Sequence, residues 1–369
     1  MPSEKLSYKD VGVNYDVIDP FKVFAQQASA LTASSLTHHG FSEITASRGE
    51  SAYLVDLGPL LIASITECLG TKILIADSYY QQTQNSYYAA IAQDTLAMAI
   101  NDLITVGALP FSCHAYWAAG HETWFKDKRR TEDLIAGWRD VCKKYNLAWG
   151  GGETPCLNNV VHAETIDLAA SALGYIHDRR QLSVGGNLQS GTQIVLLSSS
   201  GIHSNGVSLA RSVADRLPDG YLTPLADGTP LGEALLQPTH IYSGFIAKLF
   251  AAGIFPQYMA NITGHGWQKV MRSPNALTYV IDHLPSVPQE MTLICDEAKL
   301  SAEEAYKTFN MGAGFALFVT EEAVETVLAL ANDEEFTALH AGYVEEGEKK
   351  VVISPLNITY HGDDFKLRN

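Results

Sequence analysis

Short apolar runs alternate along the chain with longer segments of helical periodicity. The apolar runs have the length and composition of buried strands, and they lie at residues 51–57, 60–65, 73–76, 147–150, 166–176, 194–197, 277–281 and 315–319. The helical segments lie between them, at residues 88–106, 131–144, 207–213, 242–252, 301–309 and 321–331. This alternation predicts an α/β or α+β fold rather than an all-α or all-β one.

A charged, glycine-containing stretch at residues 178–191 separates two halves of this pattern. The chain has 369 residues, enough for two ordinary domains. We therefore predict an N-terminal domain at residues 1–177 and a C-terminal domain at residues 178–369. Residues 1–50 are expected to be loop-rich, and the polar tail from residue 345 is expected to extend over the surface.

Composition and charge narrow the classes of partner. Hydrophobic residues make up 46% of the chain and charged residues 18%, which is typical of a globular protein. The formal net charge is −16, with 25 basic and 41 acidic residues. Phosphate backbones and anionic membranes need a basic surface, so a nucleic-acid or membrane partner is not expected. A phosphorylated small molecule needs only a local positive site and remains possible.

The five cysteines include no C-x-x-C pair, which favours reduced thiols in a cytoplasmic protein. The polar first ten residues do not resemble a signal peptide. No apolar run is long enough to span a bilayer.

A loop of small and polar residues connects the predicted strand at residues 194–197 to the predicted helix at residues 207–213. Backbone N–H groups at the start of a helix suit a phosphate. The candidate anion ligands are Ser200, Gly201, His203, Ser204, Asn205 and Gly206. A plain strand–turn–helix connection would account for the glycines as well.

Two groups of residues suggest a metal and a phosphate. Glu67 and Lys72 lie within six residues of each other, so they could hold a cation and an anion together, or form a surface ion pair at a turn. Asp94, Asn101 and Asp102 interrupt an apolar helix, where unpaired acids are costly. Their spacing brings both carboxylates towards one ion, which favours Mg²⁺ ligation over capping or solvent exposure.

Two further turns carry glycines and a polar residue. Glu153 follows three glycines after a predicted strand, and His265 lies in the turn at residues 260–267. The turn before Glu153 is equally consistent with tight backbone packing. A histidine in the position of His265 is more often structural than catalytic. The chain has neither a Walker A loop nor a G-x-G-x-x-G sequence, so ATP would bind without a P-loop.

In this order the motifs resemble those of the aminoimidazole ribonucleotide synthetases, or phosphoribosylformylglycinamidine cyclo-ligases. The resemblance extends from residue 7 to about residue 353. It is carried by Ser7-Tyr8-Lys9-Asp10, Gly70-Thr71-Lys72, Asn101-Asp102-Leu103, Gly151-Gly152-Glu153-Thr154, Ser199-Ser200-Gly201-Ile202-His203-Ser204-Asn205-Gly206, Pro238-Thr239-His240, Ile262-Thr263-Gly264-His265-Gly266 and Phe309-Asn310-Met311-Gly312.

The resemblance implies a two-domain α/β fold, with each domain a mixed sheet packed by helices, and a homodimer formed through the N-terminal sheets. It implies ATP and Mg²⁺ as cofactors. It also implies the ATP-dependent ring closure of formylglycinamidine ribonucleotide to aminoimidazole ribonucleotide, a phosphorylated small-molecule substrate and product of purine biosynthesis.

The resemblance also implies roles for individual residues. Those expected to bind ATP are Lys9, Gly70, Thr71, Lys72, Asn101 and Glu153. Those expected to hold Mg²⁺ are Glu67, Asp94 and Asp102, and Lys72, Asp94 and His203 are the expected catalytic group. Substrate phosphate is assigned to Ser200, Gly201, His203, Ser204, Asn205 and Gly206, with Thr263, Gly264 and Gly266 in the adjoining cleft.

The chain departs from the family pattern at several acidic positions. Glu67-Cys68 replaces the usual Asp-Gly, Ala115 replaces an aspartate, and Pro155-Cys156 replaces a segment with a second acid. Two alternatives therefore accompany the cyclo-ligase hypothesis. One is another ATP-dependent, kinase-like enzyme of the same superfamily. The other is a non-enzymatic nucleotide-binding relative.

Overall fold

The computed structural model describes residues 5, 6, 12 and 14–364, and within them the strands form two sheets. The first sheet contains β1 (Ser42–Glu43), β2 (Tyr53–Asp56), β3 (Leu61–Cys68), β4 (Leu109–Ala119), β5 (Ala148–Glu153) and β6 (Ile166–Ile176). The second contains β7 (Gln193–Ser198), β8 (Tyr258–Asn261), β9 (Leu277–Ile281), β10 (Ala313–Val319), β11 (Ala338–Glu346), β12 (Lys350–Ile353) and β13 (Ile358–His361).

Helices pack on both sheets. They are α1 (Tyr15–Ala30), α2 (Lys72–Thr83), α3 (Tyr88–Thr105), α4 (Lys128–Lys144), α5 (Val207–Ala214), α6 (Leu231–Leu235), α7 (Ser243–Ala251), α8 (Gln289–Ala298), α9 (Ala302–Thr308) and α10 (Val324–Ala331). Short 3₁₀ segments join several of these elements, and one of them, Gly266–Met271, contributes to the site.

Each sheet is mixed. The first has the order β1-β2-β3-β6-β4-β5, in which β4 and β5 are parallel and the other pairs are antiparallel. The second has the order β13-β12-β9-β11-β7-β10-β8, with one parallel pair, β12 and β9. The two-domain α/β fold expected from the sequence is confirmed. The change from one sheet to the next falls between β6 and β7. The domain bounds at residues 1–177 and 178–369 stay a prediction.

Helix α3 is the element that both halves share. It packs on β3 and β6 of the first sheet and on β8 of the second. Nearly all of its side chains are buried, including the polar ones at positions 94, 101 and 102. An apolar helix that contacts two sheets has no solvent face, so its few polar side chains must find partners inside the protein.

Three segments differ from the sequence-based expectation. Residues 73–76, expected to be a strand, belong to α2, because so short an apolar run fits a buried helix equally well. Residues 15–30 form α1 within the stretch expected to be loop-rich. The polar tail adds β12 and β13 to the second sheet, where buried and more exposed positions alternate.

Helix α1 turns much of its apolar surface outwards. Val17, Phe21 and Phe24 are about 70% exposed, at 68%, 72% and 70%. Asp19, one of its less exposed residues, bonds to His265. None of the helices in the described part of the chain has the length and apolar character needed to cross a membrane.

The packing of the second sheet can be tested by a substitution at Phe318. Its buried ring on β10 lies between the rings of Tyr258 and Tyr279, at centroid distances of 5.6 and 5.8 Å. Phe318→Ala is expected to lower the free energy of unfolding by about 3–5 kcal/mol, because it leaves a cavity in the core. The matched control is Phe24→Ala on the exposed face of α1, expected to change it by less than about 0.5 kcal/mol. Guanidinium unfolding curves of equal midpoint for the two variants would contradict this assignment.

Candidate functional site

Side chains of α3 bind the backbone of a C-terminal segment, residues 239–242. Asn101 Nδ2 donates to the carbonyl of His240 at 2.7 Å, and Asn101 Oδ1 accepts from the N–H of Tyr242 at 3.1 Å. One amide side chain therefore satisfies a donor and an acceptor of a segment that belongs to neither sheet. The contact fixes where the C-terminal half lies along the helix.

About two helical turns earlier on α3, Asp94 takes part in a buried ion pair that also connects the helix to the C-terminal half. Lys72 Nζ lies 2.8 Å from Asp94 Oδ2 and donates to the carbonyl of Gln237 at 3.0 Å. Asp94 Oδ1 accepts from the N–H and the hydroxyl of Thr239, at 2.8 and 2.5 Å. Both charged side chains are fully buried. Burial raises the pKa of Asp94, and the charge of Lys72 and these hydrogen bonds oppose that rise.

This arrangement corrects three site expectations. Lys72 and Asp94 bind each other and have no exposed surface, so in this structure neither reaches a nucleotide phosphate or a metal ion. Asn101 is likewise committed to backbone groups rather than to ATP. The carboxylates on α3 were expected to approach one ion, but Asp94 and Asp102 have separate surroundings.

The loop at residues 199–206 is also mostly buried. The N–H of Ser200 donates to His203 Nε2 at 3.2 Å, and the Ser200 hydroxyl donates to the carbonyl of Pro238 at 2.7 Å. Ser204 Oγ lies 3.4 Å from the Thr239 hydroxyl oxygen. Gly201 and Gly206 are buried as well. Of the predicted phosphate ligands in this loop, only Asn205 lines the cavity described below.

His203 has a structural position instead of the catalytic one expected. It is 4% exposed and adopts a left-handed backbone conformation, with φ of 58°. Burial, together with the nearby His240 and Lys72, holds the pKa of His203 well below its usual value. The ring is therefore neutral, and Nε2 acts as a hydrogen-bond acceptor for the loop.

A cavity of about 280 Å³ lies between the two halves. Its acidic wall contains Glu67 from β3 and Asp102 from α3. Asp102 Oδ1 accepts from Asn261 Nδ2 at 2.7 Å, another bond between the halves. Burial and the charge of Asp102 raise the pKa of Glu67 to about 7. Two carboxylates that face one cavity repel each other unless a cation or proton intervenes.

A second group of lining residues, the basic wall, carries positive charges. Lys269 and Arg272 lie at the end of the 3₁₀ segment Gly266–Met271, and Lys22 reaches the cavity from α1. Burial and the charge of Arg272 lower the pKa of Lys269 to about 8. The Arg272 guanidinium is held by the carbonyl of Gly49 at 3.0 Å and the hydroxyl of Ser51 at 2.8 Å. The cavity thus brings positive and negative side chains together.

A tight turn completes the lining. Thr263 and Gly264 face the cavity, whereas Gly266 is buried with φ of 51°, and a side chain on it would lie 2.2 Å from the carbonyl of Tyr306. His265 Nε2 lies 3.2 Å from Asp19 Oδ2 on α1, and burial lowers the pKa of His265 to about 4. This contact holds α1 beside the cavity, which Lys22 and Gln26 help to line.

Three other predicted ATP ligands lie elsewhere. The Thr71 hydroxyl oxygen is 3.0 Å from that of Ser208, and Gly70 is the turn residue beside it, with φ of 74°. Glu153 is exposed at the end of β5, an edge strand. Lys9 lies outside the described residues. The structure therefore brings together Glu67, Asp102, Asn205, Thr263 and Gly264 from the predicted site.

Sequence reasoning missed the basic wall. Lys269 and Arg272 follow the turn at residues 263–266 with a spacing of three, which puts them on one side of a 3₁₀ helix. That spacing was the feature of the sequence from which the two residues could have been identified. No such feature pointed to Lys22, because it lies in a stretch that the sequence analysis expects to be loop-rich.

The two carboxylates of the acidic wall are suitable ligands for a magnesium ion whose other ligands are water and substrate phosphates. Within the described residues there is no cluster of three or more His, Cys, Asp or Glu side chains placed for a metal. Glu67 and Asp102 nevertheless supply two carboxylates to one cavity. Mg²⁺ is usually held by one or two carboxylates, with water and substrate phosphates completing its shell.

The Lys72–Asp94 pair is testable by a double-mutant cycle. Lys72→Met leaves a buried carboxylate unpaired and is expected to lower the free energy of unfolding by about 3–5 kcal/mol. Asp94→Asn leaves Lys72 unpaired and should cost a similar amount. The double variant removes both charges while its amide oxygen still accepts from Thr239, so it should be more stable than the sum of the single effects predicts. Additive losses in urea unfolding would contradict the coupling.

Comparison with protein families identifies both halves. The family model "AIR synthase related protein, N-terminal domain" matches residues 49–176. The model "AIR synthase related protein, C-terminal domain" matches residues 189–354.

Solved structures share the fold at low sequence identity. Hydrogenase maturation protein HypE is 16% identical, with a TM-score of 0.60, and the match covers 82% of this chain and 88% of that one. Thiamine-monophosphate kinase from Stenotrophomonas maltophilia is 17% identical, with a TM-score of 0.57, and the match covers 83% and 90%. These likenesses concern the fold alone.

Curated relatives are more similar in sequence. The phosphoribosylformylglycinamidine cyclo-ligase of Methanothermobacter thermautotrophicus is 31% identical over 337 residues, which covers 89% of this chain and 92% of the relative. The cyclo-ligase of Carboxydothermus hydrogenoformans is 30% identical, covering 95% and 99%. The chain therefore belongs to the phosphoribosylformylglycinamidine cyclo-ligase family, whose two AIR synthase related domains it carries.

Proposed function

We propose that this protein catalyses the ATP-dependent ring closure of formylglycinamidine ribonucleotide to aminoimidazole ribonucleotide. The sequence similarity to cyclo-ligases over nearly the whole chain supports this reaction. The structural observation that carries it is the cavity between the halves, which is lined by both cations and carboxylates. A phosphorylated substrate and a magnesium-bound nucleotide need both kinds of group.

The reaction proceeds in two steps. The amide oxygen of the substrate attacks the γ-phosphoryl group of ATP, and ADP leaves. An amidine nitrogen then attacks the activated carbon, the C–O bond breaks, and inorganic phosphate and a proton are released. Phosphorylation makes the amide oxygen a good leaving group, so the protein's task is to position the reactants and stabilise charge.

The basic wall is the proposed phosphate site. Lys269 and Lys22 would balance the charge of phosphate oxygens, and the turn at Thr263 and Gly264 offers polar groups close by. Asn205 adds an amide from the opposite side. Because Lys269 is buried, an ionic hydrogen bond from it is stronger than one in water.

Glu67 and Asp102 are the proposed ligands of Mg²⁺. The bound ion would neutralise phosphoryl oxygens of the nucleotide. In this proposal Asp102 also keeps its bond to Asn261, which fixes the direction of its second oxygen. Lys72 and Asp94 act at a distance from the ligands, by holding the two walls of the cavity in register.

We further propose that the enzyme is a cytoplasmic homodimer formed through the outer face of the first sheet. That face exposes Tyr175 and Phe111, whose rings make an edge contact at 6.1 Å. Aromatic side chains of this kind are enriched at protein interfaces. Reduced cysteines, of which Cys68 and Cys156 are exposed, fit a reducing compartment.

The activity is tested by phosphate release from ATP in the presence of Mg²⁺ and formylglycinamidine ribonucleotide. We expect turnover with this substrate and none with thiamine monophosphate. Turnover with thiamine monophosphate alone would replace the proposal with a kinase activity, and ATP binding without turnover on either would favour a non-enzymatic relative.

Lys269→Met is expected to lower kcat/KM for formylglycinamidine ribonucleotide by about 100-fold or more, since it removes a buried cation from the proposed phosphate site. The matched control is Glu153→Gln, an exposed residue outside the cavity, which should leave kcat/KM unchanged. Equal kinetics for Lys269→Met and the unmodified protein would exclude this role for Lys269.

Glu67→Gln is expected to raise the Mg²⁺ concentration for half-maximal activity by about tenfold, because an amide is a weaker ligand than a carboxylate for a hard cation. Glu43→Gln serves as control, because Glu43 pairs with Arg48 outside the cavity. The measurement is a Mg²⁺ titration at fixed ATP. An unchanged midpoint for Glu67→Gln would remove Glu67 from the metal site.

A further inference from the structure

Arg272 lines the cavity, but the proposed function gives it no contact with a ligand. Three nitrogens of its guanidinium donate to one short segment of the N-terminal half. Nε and Nη2 donate to the carbonyl of Gly49, at 3.3 and 3.0 Å, and Nη1 donates to the Ser51 hydroxyl at 2.8 Å. This segment leads into β2 of the first sheet, whereas Arg272 precedes β9 of the second. The side chain therefore connects the two halves beside the cavity.

A buried carboxylate compensates the charge of this guanidinium. Glu50 Oε2 lies 3.7 Å from Arg272 Nε and accepts from the Tyr258 hydroxyl at 2.9 Å. The Glu50 side chain is 2% exposed and that of Arg272 12%. Charges that are removed from water in this way are stable only when they are paired and hydrogen-bonded. The contacts of Arg272 are thus those of a group built into the protein.

The backbone joins Arg272 to Lys269. The N–H of Arg272 donates to the carbonyl of Lys269 at 3.1 Å, at the end of the 3₁₀ segment Gly266–Met271. Near the start of this segment, Trp267 Nε1 donates to the carbonyl of Asn310 at 2.8 Å, within the C-terminal half. Arg272 ties the other end to the N-terminal half. The part of the chain that carries Lys269 is therefore held at both ends, once from each half.

We propose that Arg272 is a positioning residue, which holds Lys269 at the cavity by anchoring the 3₁₀ segment to residues 49–51. The planar guanidinium reaches the Gly49 carbonyl and the Ser51 hydroxyl at once, and the single ammonium of a lysine cannot reproduce that geometry. The inference rests on the proposed function in one respect, the assignment of substrate phosphate to Lys269. Phosphate binding can be measured without the reaction, so the two proposals can fail separately.

The test is the binding of inorganic phosphate to the full-length protein, measured by isothermal titration calorimetry without ATP. Arg272→Lys keeps the charge and loses the fork, so the Kd for phosphate is expected to rise about tenfold. Lys269→Met removes the ligand itself and should raise the Kd at least as much. The matched control is Arg179→Lys, the same exchange at an arginine that pairs with Asp56 outside the cavity. Its Kd should be unchanged.

The double variant Lys269→Met/Arg272→Lys separates positioning from direct binding. A residue that acts through Lys269 has nothing to position once Lys269 is replaced, so the double variant should bind phosphate as weakly as Lys269→Met alone. A further loss equal to that of Arg272→Lys would make Arg272 an independent phosphate ligand and would overturn the proposal. So would an unchanged Kd for Arg272→Lys, or no phosphate binding by the unmodified protein.

If Arg272→Lys does not fold, Ser51→Ala replaces it, because it removes one acceptor of the guanidinium and leaves every charge in place. The Kd for phosphate and the KM for formylglycinamidine ribonucleotide should then rise about threefold, with kcat unchanged, since a displaced Lys269 weakens binding alone. An equal fall in kcat, or no change in Kd, would contradict the role of Arg272. The expected change in Kd without any turnover would reject the proposed reaction and leave that role in place.

Discussion

The ion pair of Lys72 and Asp94 decides how the two halves of this protein meet. Removing two charges from water costs several kcal/mol per ion, and only close pairing with further hydrogen bonds offsets that cost. The pairing is complete only when Gln237 and Thr239 lie against α2 and α3. Any sliding of the C-terminal half along α3 would leave a buried charge without its hydrogen-bond partners. The polar contacts of α3 thus set one register between the halves, and the cavity is the space left between them.

The elements of the fold follow from local pattern where a pattern is long. Helix α3 and strand β6 have bounds within a residue of those expected, because their periodicity extends over ten residues or more. Residues 73–76 were misjudged because four apolar residues suit a strand and a helix equally. The strands of the C-terminal tail were missed because their apolar positions alternate with polar ones over only four residues each.

The site was harder to predict for a different physical reason. Asp94 and Asp102 look alike in sequence, as acids in an apolar helix, but one is neutralised by a lysine and the other faces a cavity. The difference lies in what the C-terminal half brings to each of them. The loop at residues 199–206 shows the same limit, since its hydrogen-bond partners Pro238 and Asn310 come from distant parts of the chain. Composition reveals which groups need partners, and tertiary structure determines which partners they obtain.

The contact between Asp19 and His265 spans 246 residues of sequence. During synthesis at about 5–20 residues per second, α1 therefore leaves the ribosome on the order of 10–50 s before its partner exists. Throughout that interval, Asp19 lacks the partner that it has in the folded protein. Helix α1 can therefore take its final place beside the cavity only after residue 265 has been synthesised.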